Sequence, residues 1–163
     1  MRDLQVYTDI CLKEVEGAGI EYGKIEEFIV NTRAINRYGR CTRKPGGTFV
    51  IQISKYLLDE RVPVNELKDT IIHEILHTCK DCFNHGNAWK NEADIMNKKY
   101  GYNIRRTGSC SDFAMVVEEE HPYKYFIGCK GCGKIYKKRR KCNLTEHPGW
   151  YRCGRCGGKL EAV

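Results

Sequence analysis

The chain has 163 residues, with 28 basic against 21 acidic side chains, ten cysteines and five histidines, a length that suits a core of about 120 residues plus a small module. At 41% hydrophobic and 30% charged residues it is too apolar for intrinsic disorder, and no apolar run approaches the roughly 18 residues of a membrane span. The start, Met1-Arg2-Asp3-Leu4-Gln5, lacks the apolar stretch of a secretory signal. A reducing, cytoplasmic location is therefore expected, where cysteines serve as metal ligands or plain thiols rather than disulfides.

In chain order, residues 3–16 predict an amphipathic helix, with Leu4, Tyr7, Ile10, Cys11 and Val15 at helical spacing. Phe28-Ile29-Val30 is a short strand candidate. Thr32 to Gly47 is basic and rich in turn residues, and reads as a turn or hairpin connection. Thr48 to Ile53 is the clearest strand, β-branched and aromatic, and Ser54 is placed to cap a short helix through Leu57-Leu58. Asn65 is an N-cap candidate for a strong helix with Leu67, Ile71, Ile75 and Leu76 as its core stripe, running to about Cys79. A further helix spans Ala88 to Tyr100, with Asn87 as its cap and Trp89, Ile95 and Met96 inward. Residues 102–120 read as irregular, with a strand at Phe113 to Val117.

Charge divides the chain. Residues 1–121 carry 17 basic and 19 acidic side chains, whereas residues 122–163 carry 11 and two. Half of the ten cysteines also fall in the second part. A boundary at His121-Pro122 separates a core, 1–121, from a basic module, 122–163.

The strong helix contains His73-Glu74-Ile75-Leu76-His77. Histidines at i and i+4 share one helical face, so both imidazoles reach one ion. Zinc takes neutral imidazole and in catalytic sites leaves a position for water. Glu74, beside the first ligand, is placed to act as general base on that water. The third ligand has two candidates. His85, in His85-Gly86-Asn87-Ala88-Trp89, follows after a loop short enough to fold back onto the ion, and Glu92 lies on the next helix. Cys79-Lys80-Asp81-Cys82 has ligand spacing within that loop and reads either as two reduced thiols or as a redox- or metal-dependent switch.

Cys129-Lys130-Gly131-Cys132-Gly133 and Cys153-Gly154-Arg155-Cys156-Gly157 are matching knuckles. Four thiolates at this spacing suit a closed structural zinc, which a segment of about forty residues needs for folding energy. The glycine after each second cysteine fits a turn with positive φ. Cys142 and His147 lack a close partner for ligation, and Cys11, Cys41 and Cys110 read as bystander thiols. Between the knuckles lies Lys137-Lys138-Arg139-Arg140-Lys141, with Tyr136 and Trp150 nearby. Cations that track phosphates and rings that stack on bases make this a nucleic-acid-binding candidate.

His-Glu-x-x-His, then His-Gly-x-x-Trp opening a helix, then a zinc ribbon, resembles the SprT-like, Spartan-related family. Gly39 in the basic turn, Ile51-Gln52-Ile53-Ser54 and Leu67-Lys68-Asp69-Thr70 extend the likeness upstream. The resemblance implies an α+β, zincin-like metallopeptidase core with a C-terminal zinc ribbon and two zinc ions per chain. By residue match it makes His73, His77 and His85 the catalytic zinc ligands, Glu74 the general base, and Cys129, Cys132, Cys153 and Cys156 the structural ligands. The expected activity is zinc-dependent endopeptidase action on DNA-bound proteins, with the ribbon holding DNA and no membrane partner. The competing reading is a non-catalytic zinc-containing nucleic-acid-binding or regulatory protein, against which Glu74 speaks.

Overall fold

A computed structural model describes residues 1–107 and 111–163. It is a mixed α+β structure in two compact units, Met1–Val116 and Val117–Val163. Among the described residues no helix is long and apolar enough to cross a membrane.

The first unit opens with α1 (Leu4–Gly17), capped by the Asp3 carboxylate, which accepts the Gln5 N–H at 2.9 Å. Leu4, Thr8, Cys11 and Val15 form its buried stripe. Ile10, expected inward, is exposed, because the stripe settles one position round from it. Three strands follow: β1 (Ile25–Asn31), β2 (Gly39–Arg43) and β3 (Phe49–Ser54), in the spatial order β1-β3-β2. β3 is central, parallel to β1 (Ile29 opposite Gln52) and antiparallel to β2 (Cys41 opposite Ile51). Its near-continuous apolar run suits a strand covered on both faces.

β2 lies within the stretch expected to be a turn or hairpin connection. Its Arg40, Thr42 and Arg43 break the apolar pattern because β2 is an edge strand, where charged side chains are tolerated. The turn back to β3 closes through Lys44 N–H on Thr48 O at 2.8 Å, with Gly46 and Gly47 at φ 97° and 82°.

After a 3₁₀ turn (Lys55–Leu58) comes α2 (Val64–Leu76), which packs on the sheet and on α1. Pro63, not Asn65, holds the N-cap position: its fixed φ suits a helix entry, and no side chain bonds the first amides. The helix also ends earlier than expected. His77 is its C-cap, and Thr78 Oγ1 donates to Ile75 O at 2.7 Å, closing the last turn. α3 (Asn87–Tyr100) starts with Gly86 at the cap and Asn87 already helical, and ends at left-handed Gly101 (φ 72°). Trp89, Ala93 and Met96 are its buried residues. Ile95 is 43% exposed and faces solvent, since it lies off the stripe of Trp89, Ala93 and Met96 that the helix buries.

α4 (Ser111–Glu120) replaces the strand expected at Phe113 to Val117. Its apolar run Phe113, Val116 and Val117 lies at helical spacing and is buried, Phe113 against Tyr38 and Tyr56 with ring centroids at 4.4 and 5.9 Å. Short apolar runs do not separate strand from helix by period alone. Cys110 lies outside the described residues.

The second unit is an antiparallel sheet in the order β5-β4-β6, from β4 (Tyr125–Cys129), β5 (Ile135–Lys138) and β6 (Leu160–Ala162), with the short α5 (Asn143–Glu146) and a 3₁₀ turn (Pro148–Trp150). Its core is small: Ile127, Cys129, Cys153 and Leu160, flanked by Tyr125, Cys132, Tyr136 and Leu144.

Candidate metal centres

His73 and His77 project from the last turn of α2 and His85 from the loop before α3, and one ligand atom of each lies within 4.8 Å of the others. Nε2 of His73 stands 3.2 Å from Nε2 of His77 and 3.0 Å from Nε2 of His85. The opposite nitrogens are held by backbone. Nδ1 of His73 lies 2.9 Å from Arg105 O, and Nδ1 of His77 lies 3.0 Å from Cys82 O. A carbonyl only accepts, so Nδ1 carries the proton in both rings and each Nε2 presents a lone pair. Converging lone pairs repel unless a cation sits among them. Zinc–nitrogen bonds of about 2.0–2.1 Å on tetrahedral axes place ligand nitrogens roughly 3.3 Å apart, which the observed separations match. The donor set therefore fits zinc.

The imidazoles are kept neutral, the form a metal needs. Burial pulls His73 down to about 4, aided by the neighbouring charges of His77 and His85. Burial lowers His77 and His85 too, with Arg106 adding to the effect at His85. Trp89 walls the cluster, its ring centroid 4.8, 5.8 and 4.7 Å from those of His73, His77 and His85.

Glu74 points to the sheet side of α2 and is only 7% exposed. Burial pushes its carboxyl up to about 7, against the pull of the Cys41 N–H, which donates to it, and of the Arg37 guanidinium. Gly39 makes the room: a Cβ there would stand 2.6 Å from Glu74 Oε1. Two cavities meet at this point. One, of about 600 Å³, is lined by Arg40, Cys41, His77, Phe83 and His85. The other, of about 540 Å³, runs along α2 past Asp69 and Glu66 to the segment 103–107. Arg37, Gly39, His73 and Glu74 line both.

The other third-ligand candidate, Glu92, is not among the converging donors, and its charge faces Cys79 and Cys82 instead. Both thiols are buried, and burial pushes Cys79 up to about 12 and raises Cys82. A buried thiol held protonated is a poor nucleophile, as a plain core thiol is. What the loop contributes is a carbonyl, the one of Cys82 that orients His77, reached through Asp81 at φ 60°.

In the second unit the four sulfurs of Cys129, Cys132, Cys153 and Cys156 also lie within 4.8 Å of one another. Separations of 3.4 Å (Cys129 to Cys156) and 3.6 Å (Cys132 to Cys153) are far beyond a disulfide bond and near the roughly 3.8 Å edge of a tetrahedral zinc–thiolate site. Gly133 and Gly157 adopt φ of 70° and 72°, as the knuckle turns require. Gly158 leaves the sulfurs clear, since a Cβ there would stand 3.0 Å from Cys129 Sγ.

The nucleic-acid candidates divide. Tyr136 faces the cysteine cluster, its hydroxyl 3.1 Å from Cys153 Sγ while accepting the Gly154 N–H. Arg139 lies over the Tyr123 ring at 4.0 Å and donates to His121 O, and Lys137 is 3.7 Å from Glu118. Lys138, Arg140 and Lys141 are exposed. Trp150 is 74% exposed and stacks on His147 at 4.1 Å.

Sequence reasoning missed the carbonyls of Arg105 and Cys82, since any residue supplies one, and the contact that makes Gly39 necessary. Trp89 is expected inward from its helical spacing, but its place against all three histidines leaves no mark in the sequence.

Fold and sites together define a mixed α+β protein with two candidate metal centres, one of three histidines on a His-Glu-x-x-His helix and one of four cysteines. The chain belongs to the SprT-like family, whose pattern residues 18–108 match. It is similar to the "Protein SprT-like" of Oceanobacillus iheyensis, 26% identical over 141 residues that cover 85% of this chain and 83% of that one. It is also similar to that of Lactococcus lactis, 29% identical over 129 residues that cover 76% of this chain and 77% of that one. No solved structure matches the chain.

Proposed function

We propose that the chain is a zinc-dependent endopeptidase with a zincin-like core, cytoplasmic, and directed to DNA-bound proteins by its basic zinc ribbon. The observation that carries the reading is the convergence of three imidazole Nε2 atoms beside a buried carboxylate where two open cavities meet. His73, His77 and His85 would hold the zinc, whose chemistry is to polarise a substrate carbonyl and acidify water. Glu74, with its carboxyl near 7, is matched both to take a proton from the attacking water and to return it to the leaving amine. The edge strand β2 supports a peptide rather than another ester or amide. Gly39, Arg40 and Cys41 line the cavities, and an extended chain can pair with an open strand edge.

The ribbon would be held by Cys129, Cys132, Cys153 and Cys156. Its DNA-facing groups are Lys138, Arg140 and Lys141 for phosphates and Trp150 for a base. The test is the Glu74→Gln chain with zinc measured by elemental analysis. Two zinc per chain with proteolysis abolished is expected, and undiminished proteolysis overturns the role of Glu74. Single-stranded or duplex DNA should stimulate cleavage of a DNA-bound protein, and charge reversal over Lys137 to Lys141 should remove the stimulation. Equal rates with and without DNA overturn the tether. A zinc-replete wild type that binds DNA but cuts no protein establishes the non-catalytic alternative.

A further inference from the structure

The two cavities at Glu74 differ in chemistry. The one beside Phe83 is lined by Arg37 and Arg40 but by no carboxylate other than Glu74, whereas the one along α2 is lined by three arginines, Arg37, Arg105 and Arg106, and by Glu66 and Asp69. Several of these charges are already engaged. Arg105 Nε donates to Asn103 Oδ1 at 2.8 Å, and Asp69 accepts the Asn103 N–H at 3.1 Å while facing Lys68 and Arg105. Arg37 and Arg106 are different. Both are exposed, and among the described residues neither makes a hydrogen bond or ion pair. Both line the same cavity as His73 and Glu74.

We infer that this cavity is a substrate subsite for a carboxylate, held by Arg37 and Arg106. The inference rests on the peptidase reading and names its substrate preference. A guanidinium presents a planar fork of donors that a carboxylate matches in two bonds, and two exposed arginines in the lining of a cavity of about 540 Å³ leave room for the chain that carries it. The occupant is a peptide carboxylate rather than a nucleic-acid strand. A strand brings an anion at every phosphate, and Glu66 and Asp69 in the lining of the same cavity repel the successive charges that a single carboxylate does not carry. The carboxylate has two possible sources, an Asp or Glu side chain beside the cut bond or a free chain end.

The experiment uses the zinc-loaded chain and quenched fluorescent peptides. One set is C-terminally amidated and varies Glu, Gln, Leu and Lys on either side of the cut bond, and the other compares free and amidated C-termini. A preference of roughly 10- to 100-fold in kcat/KM for the carboxylate over its amide isostere is expected, the range for a charge-assisted bond. Its appearance in the amidated set assigns the side chain, and its restriction to free ends assigns the terminus. In Arg37→Ala/Arg106→Ala the preference falls toward parity, and in Arg106→Glu it shifts to Lys. Binding of the same peptides to the zinc-loaded Glu74→Gln chain reads the site without hydrolysis, so a failure of the peptidase reading leaves the subsite testable. No preference in either assay, or one that survives the double substitution, overturns the inference. So does a double variant that loses affinity for a single-stranded oligonucleotide while keeping the peptide preference.

Discussion

Gly39 and Glu74 touch: a Cβ at Gly39 would stand 2.6 Å from Oε1 of Glu74, 2.7 Å from its Cγ and 2.9 Å from its Cδ. The edge strand and the site helix thus fit only because one position on β2 has no side chain. Gly39→Ala should displace the carboxylate while leaving the imidazoles in place. We expect proteolysis to drop about a hundredfold, as for a misplaced catalytic group, with zinc content unchanged and stability lowered by about 1–3 kcal/mol of overpacking. Steady-state kinetics beside elemental analysis checks this, and wild-type kcat in Gly39→Ala would refute it.

The carbonyl that orients His73 belongs to a segment without regular structure, pinned from three helices. Asn97 Oδ1 accepts the Ile104 N–H at 2.8 Å and its Nδ2 donates to Ile104 O at 3.2 Å. Asp69 accepts the Asn103 N–H, and Tyr102 bonds Glu14, which is also paired with Lys68 at 2.9 Å. Asn97→Ala removes the two-point clamp. Partners that orient a metal-bound imidazole typically carry 10- to 100-fold in metal affinity, so zinc affinity in competition with a chelator should weaken by about that factor. Unaltered affinity would show that Asn97 only supports the fold.

Glu74 and His73 give the metal-free protein opposing pH dependences. The Glu74 carboxyl is raised from 4.5 to about 7 by burial. Its protonated form therefore favours the fold, and that stability is lost as pH rises from 4.5 through 7. His73 is lowered from 6.5 to about 4, so the unfolded chain binds the extra proton between those values and stability rises with pH there. Glu74→Gln removes only the first effect. Relative to wild type it should gain stability steadily across that window, reaching about 3 kcal/mol above it. Urea titrations with chelator, followed by Trp89 fluorescence in a Trp150→Phe background, check the difference. A gap that does not change with pH would contradict the burial argument.

The apolar core of the second unit is four residues with a few flanking side chains, so a metal on the cysteine cluster would supply much of its folding energy. Cys153→Ser should reduce the zinc content from two to one per chain and unfold that unit, while the first unit keeps its ion and its thermal transition. Elemental analysis with amide-resolved NMR distinguishes the two units. Two retained zinc ions would exclude a four-thiolate site.

The sequence alone determined the local chemistry. Period fixed α2 and brought His73 and His77 onto one face, spacing fixed the two cysteine knuckles, and β-branched residues marked β3. It was weaker where period is ambiguous or a cap decides. The strand expected at Phe113 to Val117 is helix, Asn65 gave way to Pro63, and a strand lay hidden in the basic stretch at Gly39 because edge strands need no apolar alternation. Tertiary structure decided the rest. Only folding could bring His85 rather than Glu92 to the two helical histidines, and only folding sets the carbonyls of Arg105 and Cys82 behind His73 and His77. A backbone carbonyl is common to every residue, so its role leaves no mark in the sequence. Likewise, that Arg37 and Arg106 make no hydrogen bond or ion pair among the described residues follows from which side chains the fold sets beside them.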